Sequence, residues 1–302
     1  MGTPPVIIHV GVSKTGTSTL QEEVFPAHEG IDFRFWPAEG DIPQLYDCLY
    51  ADTIYDDEAR FEACAQAIAE SHRDATGPVL YSREHLTHQR YEKGVMAARL
   101  RRLFGKARIV ITIRNQFDWI ESSYIWDQNI LRTPWQGLPP SMEGYLAGQW
   151  KERWRSRLSS GDFGVIVRRY VELFGRENVC VLPFEEFVGE PDLFADRLFG
   201  FLGVDRERGR ALMEGKHRNP RLSARERAFL RWRAWLVPLA LQRVCARWNM
   251  PSAITAWLRG GPRYRAPVPQ AWRERLGAHY APGNRYIMET FALPLGRYGY
   301  PV

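Results

Sequence analysis

The fold turns on the stretch HVGVSKTGTSTLQ, residues 9–21. It continues a short β-branched run, Val6–Val10, that is bounded by prolines and by Gly11 and reads as a buried strand. Gly11 and Gly16 bracket a loop, and from Thr17 the pattern becomes helical, with Leu20, Val24 and Phe25 on one face. A strand, a glycine loop and a helix in that order gather backbone N–H groups and the positive helix end around an oxyanion. Thr15, Thr17, Ser18 and Thr19 add hydroxyl donors. The stretch nearly matches G-x-x-x-x-G-K-[ST], in which a lysine after the second glycine serves the β/γ-phosphates and the next hydroxyl holds magnesium. Here Lys14 stands inside the loop instead, and no strand ends in an obvious magnesium-holding aspartate. A short anionic chain handled without a metal fits that arrangement better than a nucleoside triphosphate.

Working outward, residues 31–36 (IDFRFW), 77–82 (GPVLYS), 108–114 (RIVITIR) and 178–184 (NVCVLPF) read as further strands. Between them lie helical patterns. DDEARFEACAQAIAESHR opens on acids and closes on bases, as the helix dipole favours, and carries Phe61, Cys64, Ala65 and Ile68 on one stripe. Another helix covers residues 95–104, one follows Arg114 through Trp126, and one runs over Pro191–Leu202 and is closed by Gly203. Alternating strands and helices predict an α/β fold with a P-loop-like central parallel sheet flanked by helices. Ligands in such folds bind at the carboxyl ends of the strands. The expected organisation is one domain over residues 1–302, with an α/β core in 1–222 and a mainly helical C-terminal elaboration in 223–302.

Bulk composition narrows the partners. The 302 residues carry 41 Lys+Arg against 35 Asp+Glu, a net charge of +6, which favours anionic ligands. Cys48, Cys64, Cys180 and Cys245 are scattered without metal-ligand spacing, so they read as reduced thiols rather than a zinc site or a disulfide framework. No apolar run reaches the ~18 residues of a membrane span. A cytoplasmic chain is expected, with peripheral contact at the inner membrane face left open. Residues 225–265 interleave Trp232, Trp235, Leu236, Leu239 and Leu241 with arginines. That stripe suits packing on the core, glycan stacking or a lipid surface.

A second motif joins the first. ITIRNQFDWIESSYIWD holds a strand-end Arg114 and Asn115, then Asp118, Ser122 and Tyr124. Arg114 closes a strand and Ser122 lies about two turns along the next helix, so a guanidinium fork and a hydroxyl could share one phosphate. Together, SKTGTSTLQ and this second motif resemble the two signatures of the PAPS-dependent sulfotransferases, and most of the chain, densely only around these motifs, resembles the bacterial, glycan-type members. Ser13 stands where the family's loop has proline, and Gln116 where the second signature has proline. The resemblance implies that Ser13, Lys14, Thr15, Gly16, Thr17, Ser18 and Thr19 cradle the 5′-phosphate of the cofactor. It further implies that Arg114 and Ser122 grip its 3′-phosphate, that Lys216 and Arg218 in EGKHRNPRLS belong to a loop closing over the nucleotide, and that no metal is needed. The ending HYAPGNRYIMETFALPLGRYGYP is similar to the tail of the same members and reads as structural.

The displaced cation then has a chemical reason. Sulfuryl transfer develops charge on the oxygen bridging to the 5′-phosphate, and an ammonium inside the loop would stabilise it electrostatically. An acceptor hydroxyl needs a base, which the resemblance places either on the strand before the second signature, where LYSREHL offers Glu84 and His85, or downstream of the loop lysine, where Glu39 stands. On a strand end the neighbours Glu84 and His85 would point apart, so only one would face the site. Glu84 ranks first, His85 second, and Glu39 in WPAEGD third; a glutamate base would need partial desolvation to raise its pKa. The resulting expectation is transfer of sulfuryl from PAPS, leaving 3′-phosphoadenosine 5′-phosphate, to a hydroxyl, or in second place an amine, of a carbohydrate or glycolipid. Nucleic acid is not an expected partner, and oligomeric state stays open. The alternatives are a nucleotide-dependent kinase, disfavoured by the missing post-glycine lysine, and a non-catalytic nucleotide- or nucleic-acid-binding module.

Overall fold

Five parallel strands make the central sheet: β1 (Val6–Val10), β2 (Asp32–Phe35), β3 (Val79–Arg83), β4 (Arg108–Ile113) and β5 (Val179–Pro183), in the spatial order β2-β3-β1-β4-β5. The computed structural model describes residues 4–35, 42, 44–88, 90–130, 140–215, 223–229 and 252–302, without the side chains of 35, 85, 128–130 and 255. All five strands match the runs read from the sequence; β1, β3, β4 and β5 are short, largely buried runs of the kind a parallel sheet covered on both faces requires. In register, β1 pairs His9 with Ser82 of β3 and with Val110 of β4. The carboxyl ends of β3 and β4 therefore flank the loop that leaves β1.

The chain divides into two compact units. The first comprises Met1–Gln116, Arg153–His217 and Gly277–Val302, and the second Phe117–Glu152 and Arg218–Leu276. In the first unit, one sheet face buries Ile7, Leu80, Val110 and Leu182 against Leu20, Val24, Phe25, Phe194, Leu198 and Phe199. Each such side chain removed from water contributes about 1.5–3 kcal/mol. The other face meets helices Glu58–Ser71, Lys93–Phe104 and Phe163–Phe174; Tyr81 of β3, for example, hydrogen-bonds His72 at 2.7 Å and packs on Phe104 at 5.2 Å between centroids. Helix Pro191–Leu202 ends as its sequence foretells, on Gly203 at φ +77°, whose N–H reaches the Phe199 carbonyl.

In the second unit, Ser223 and Glu226 form a reciprocal capping box: Glu226 N–H donates to Ser223 Oγ and Ser223 N–H to Glu226 Oε2, both at 3.0 Å. Buried Glu121 accepts from the Ala266 N–H at 2.6 Å and from Arg265 Nε at 3.1 Å. Arg225 lies over Trp257 at 4.8 Å and Arg227 over Tyr264 at 3.9 Å. Trp232, Trp235, Leu236, Leu239 and Leu241 lie outside the described residues. No helix among the described residues is long and apolar enough to cross a membrane.

Two helices of the first unit touch backbone to backbone. A Cβ on Gly164 would sit 2.1 Å from the Gly283 Cα, where nothing can yield. Gly164→Ala is therefore expected to cost about 3 kcal/mol or more. Gly148, on helix Met142–Lys151 with open space around it, should gain about 0.5–1 kcal/mol on becoming alanine. Paired denaturant melts of the two variants check the contrast; equal stabilities would remove the argument from close approach.

Candidate active site

The loop after β1 is built on two left-handed residues. Lys14 has φ 70° and Gly16 φ 87°, the backbone conformations from which anion-binding concavities are made. Holding a lysine there costs roughly 1–2 kcal/mol, which the surrounding bonds must offset. Gly16 is doubly constrained, since a Cβ would also press on the Phe184 ring at 3.1 Å. At Gly11 a Cβ would lie 2.2 Å from Thr17 Cγ2, so a side chain at the first glycine would collide with the start of the helix.

The loop hydroxyls divide by task. Thr15 is buried; its Oγ1 donates to the Val12 carbonyl at 2.6 Å and meets Thr112 Oγ1 of β4 at 2.6 Å, which ties the loop to the sheet. Its side chain is thus engaged within the protein. Thr17 Oγ1 donates to Glu84 Oε1 at 2.5 Å. Ser18 is exposed, Thr19 buried, and Ser13 and Lys14 half-buried. The helix opens as a single α-turn, Thr17–Thr19, and widens to a π-helix over Leu20–Val24. Among its residues, Gln21 turns inward and donates to Ser82 Oγ at 2.8 Å.

Glu84 does not stand on a strand. β3 ends at Arg83, and Glu84 opens a 3₁₀ turn, Glu84–Thr87, so the alternation argument that separated it from His85 does not apply. What brings its carboxylate to the loop is the parallel pairing of β3 with β1 together with the Thr17 bond. Thr87 closes the same turn by donating to the Gly11 carbonyl at 3.0 Å. The His85 side chain and Glu39 lie outside the described residues, as do Lys216 and Arg218.

From the other flank comes Arg114. It is 8 % exposed, its Nη1 donates to the Lys14 carbonyl at 3.0 Å, and its guanidinium lies over the Phe184 ring at 4.6 Å. The Arg114 guanidinium is thus bound to the main chain of Lys14, 100 residues earlier. Glu185, next to Phe184, accepts from the Asn115 N–H at 2.9 Å and the Tyr300 hydroxyl at 2.8 Å. Burial raises its pKa, and those bonds and the Arg114 charge oppose the rise. Ser122 is half-buried on the part of helix Gln116–Ile130 that belongs to the second unit, where Tyr124 donates its hydroxyl to the Pro140 carbonyl at 2.8 Å.

Sequence reasoning missed the layer under the loop. His9 is fully buried; its Nδ1 pairs with Ser82 Oγ at 2.7 Å, while its Nε2 has no partner among the described residues. Desolvation lowers its pKa to about 3, so it is neutral at physiological pH. A histidine inside VIIHV was the available signal, because a polar group in a buried strand must find a partner. Phe184 and the tail residues gave no such sign.

A parallel α/β sheet with an anion-type loop leaving its central strand, a carboxylate on one flank and a guanidinium on the other defines a class of group-transfer protein. The family model of the sulfotransferase domain matches residues 4–218, well over half of the chain, and the chain belongs to that family. Among solved structures it is similar to a sulfotransferase from Alicyclobacillus acidocaldarius, with 20% identity and a TM-score of 0.52 over 99% of this chain and 100% of that one. A mouse sulfotransferase complexed with PAP gives 14% identity and a TM-score of 0.45 over 93% and 88%. A comparison with curated proteins gave no match.

His9 makes stability pH-dependent with a definite sign. The unfolded chain takes up a proton near pH 6.5 that the folded chain refuses down to about 3, so this contribution is level above 6.5 and declines as pH falls through that window. Relative to His9→Gln, the wild type should lose stability toward pH 4 at a slope approaching ~1.4 kcal/mol per pH unit. Urea melts at pH 7, 5.5 and 4 measure the difference; parallel profiles would mean that His9 is not held neutral.

Proposed function

We propose that the chain transfers a sulfuryl group from PAPS to a hydroxyl of a carbohydrate or glycolipid acceptor. The observation that carries this reading is the meeting of Lys14, Glu84 and Arg114 at one sheet edge through two bonds, Thr17 to Glu84 and Arg114 to Lys14. The family implies PAPS as the donor. The residues fit it: glycines at 11 and 16 let the loop turn tightly against Thr17 and Phe184, with Lys14 and Gly16 in the left-handed conformation of anion-binding concavities, and one ammonium and one guanidinium suit a molecule with anionic groups at two ends. Among the described residues, no cluster of His, Cys, Asp and Glu is arranged to hold a metal ion.

PAPS supplies an activated sulfuryl group whose acceptor of electrons is a phosphate leaving group. The chain's own residues do the rest. Loop residues 13–19 hold the 5′-phosphate, and Lys14 stabilises the negative charge that collects on the departing oxygen. Arg114, its plane kept against Phe184 and its Nη1 on the Lys14 carbonyl, would hold the 3′-phosphate. Glu84 removes the acceptor's proton as the new S–O bond forms and the bond to the phosphate breaks; Thr17 engages Oε1 and so orients the carboxylate, leaving Oε2 for the proton. A sugar acceptor is supported by exposed tryptophans with arginines against them: Trp154 with Arg153 at 4.7 Å, and separately Trp257 with Arg225 at 4.8 Å.

Thermal shifts with 3′-phosphoadenosine 5′-phosphate, ADP and ATP test the nucleotide assignment. The first should stabilise most, and Arg114→Ala should abolish its advantage over ADP; equal stabilisation by ATP would overturn the assignment. Glu84→Gln should keep nucleotide binding and lower turnover of a hydroxylated sugar by about 10²–10⁴-fold. If that variant turned over normally, Glu84 would not be the base.

A further inference from the structure

The tail read from the sequence as merely structural reaches the residues that follow Arg114. Gln116 Nε2 donates to Asn284 Oδ1 at 2.7 Å, and Asn284 Nδ2 returns a bond to Gln116 Oε1 at 3.1 Å. Both side chains are fully buried. Asn284 Nδ2 also donates to the Pro301 carbonyl at 2.6 Å. A carbonyl can only accept, so that third bond fixes which end of the Asn284 amide is the donor and, through it, the orientation of Gln116. Beside this pair, Asn115 Nδ2 donates to the Tyr298 carbonyl at 3.0 Å. Gly299, at φ +74°, brings its backbone close there; a Cβ on it would press on Asn115 Nδ2 at 3.1 Å.

The same segment reaches the other support of Arg114. Tyr300 donates to Glu185 Oε2, and Glu185 Oε1 takes the Asn115 N–H. Glu185 directly follows Phe184, the ring under the guanidinium. Both the backbone that leaves Arg114 and the aromatic ring on which it lies are thereby tied to residues 284–301. Resting on the reading of Arg114 as the 3′-phosphate ligand, we propose that the Gln116–Asn284 carboxamide clasp, with the Tyr300–Glu185 bond, is a positioning device for Arg114, through which the C-terminal segment sets recognition of the 3′-phosphate.

The departure at Gln116 supports this assignment. Helix Gln116–Ile130 begins at that residue, where a proline is compatible with the first turn because its N–H needs no partner within the helix. The related signature has proline there; this chain has an amide that meets a buried asparagine 168 residues away. A proline at 116 would leave the Asn284 groups without that partner in a dry interior, so the amides at 116 and 284 belong together. An arginine side chain with several free torsions loses entropy on binding a phosphate, and fixing its base and its stacking surface beforehand lowers that cost. A positioning role therefore predicts a defect confined to ligands that carry the 3′-phosphate.

The test is calorimetric titration of the full chain with 3′-phosphoadenosine 5′-phosphate and with ADP, which lacks the 3′-phosphate. In Gln116→Leu and Asn284→Leu the Kd for the former should rise by about tenfold while that for ADP stays within twofold. In an Arg114→Ala background the same substitutions should cause no further loss. Tyr300→Phe, which removes one hydroxyl and its bond to Glu185, keeps the test available if the leucine variants fail to fold; it should show the same selective loss at smaller size. Equal weakening of both nucleotides, unchanged affinity for both, or full additivity with Arg114→Ala in folded variants would overturn the clasp. The two readings fail separately: a wild type without preference for the 3′-phosphorylated nucleotide removes the role of Arg114, whereas a preference lost in Arg114→Ala but kept in every clasp variant removes only the clasp.

Discussion

Adjacent parallel strands end at the same edge of a sheet, and from that constraint the site follows. Because β1 lies between β3 and β4, what leaves each of the three strands must share one small volume. A loop that turns sharply there needs glycine at Gly16 and accepts strain at Lys14. The Arg114 bond to the Lys14 carbonyl then joins the loop to the β4 end, and the Thr17 bond joins it to the β3 end. Remove the flanking order and the same residues would be three unrelated polar side chains at separate loops.

Charge economy explains the rest of the neighbourhood. A nearly buried guanidinium needs its charge compensated, and the chain answers it with a backbone carbonyl on Nη1, an aromatic face and the charge of Glu185. Glu185 is in turn satisfied by a main-chain N–H and a tyrosine hydroxyl from the tail. Each group taken out of water is passed to the next, until the network ends at the C-terminal segment. Through these shared bonds the C-terminal segment bears on a site whose loop lies near the start of the chain.

Beneath the loop, His9, Ser82 and Gln21 form a polar layer inside an otherwise apolar core. Kept neutral by desolvation, His9 links the strand that carries the loop to the strand that leads into the Glu84 turn without adding a buried charge. The site thus has a supported floor as well as supported walls. Loop hydroxyls that looked equivalent are differentiated by this architecture: Thr15 braces, Thr17 orients, and Ser18 faces solvent.

The five strands, the loop and the helix stop at Gly203 were legible in the sequence because they depend on local preferences: β-branched runs, glycine at left-handed positions, apolar spacing. Lys14 and Arg114 were legible as cations at the ends of strands, and the two motifs around them carried the family. Strand order was not legible, since it is set by crossover packing rather than by any residue's own preference, and with it went the knowledge that Glu84 meets Thr17. Nor could sequence reveal that Glu84 sits on a 3₁₀ turn, that Thr15 is spent on Thr112, or that Gln116 and Asn284 are partners across 168 positions. A hydrogen bond between side chains has no signature in either residue's local pattern. It exists only once packing has excluded water from both, so only the tertiary structure could decide it.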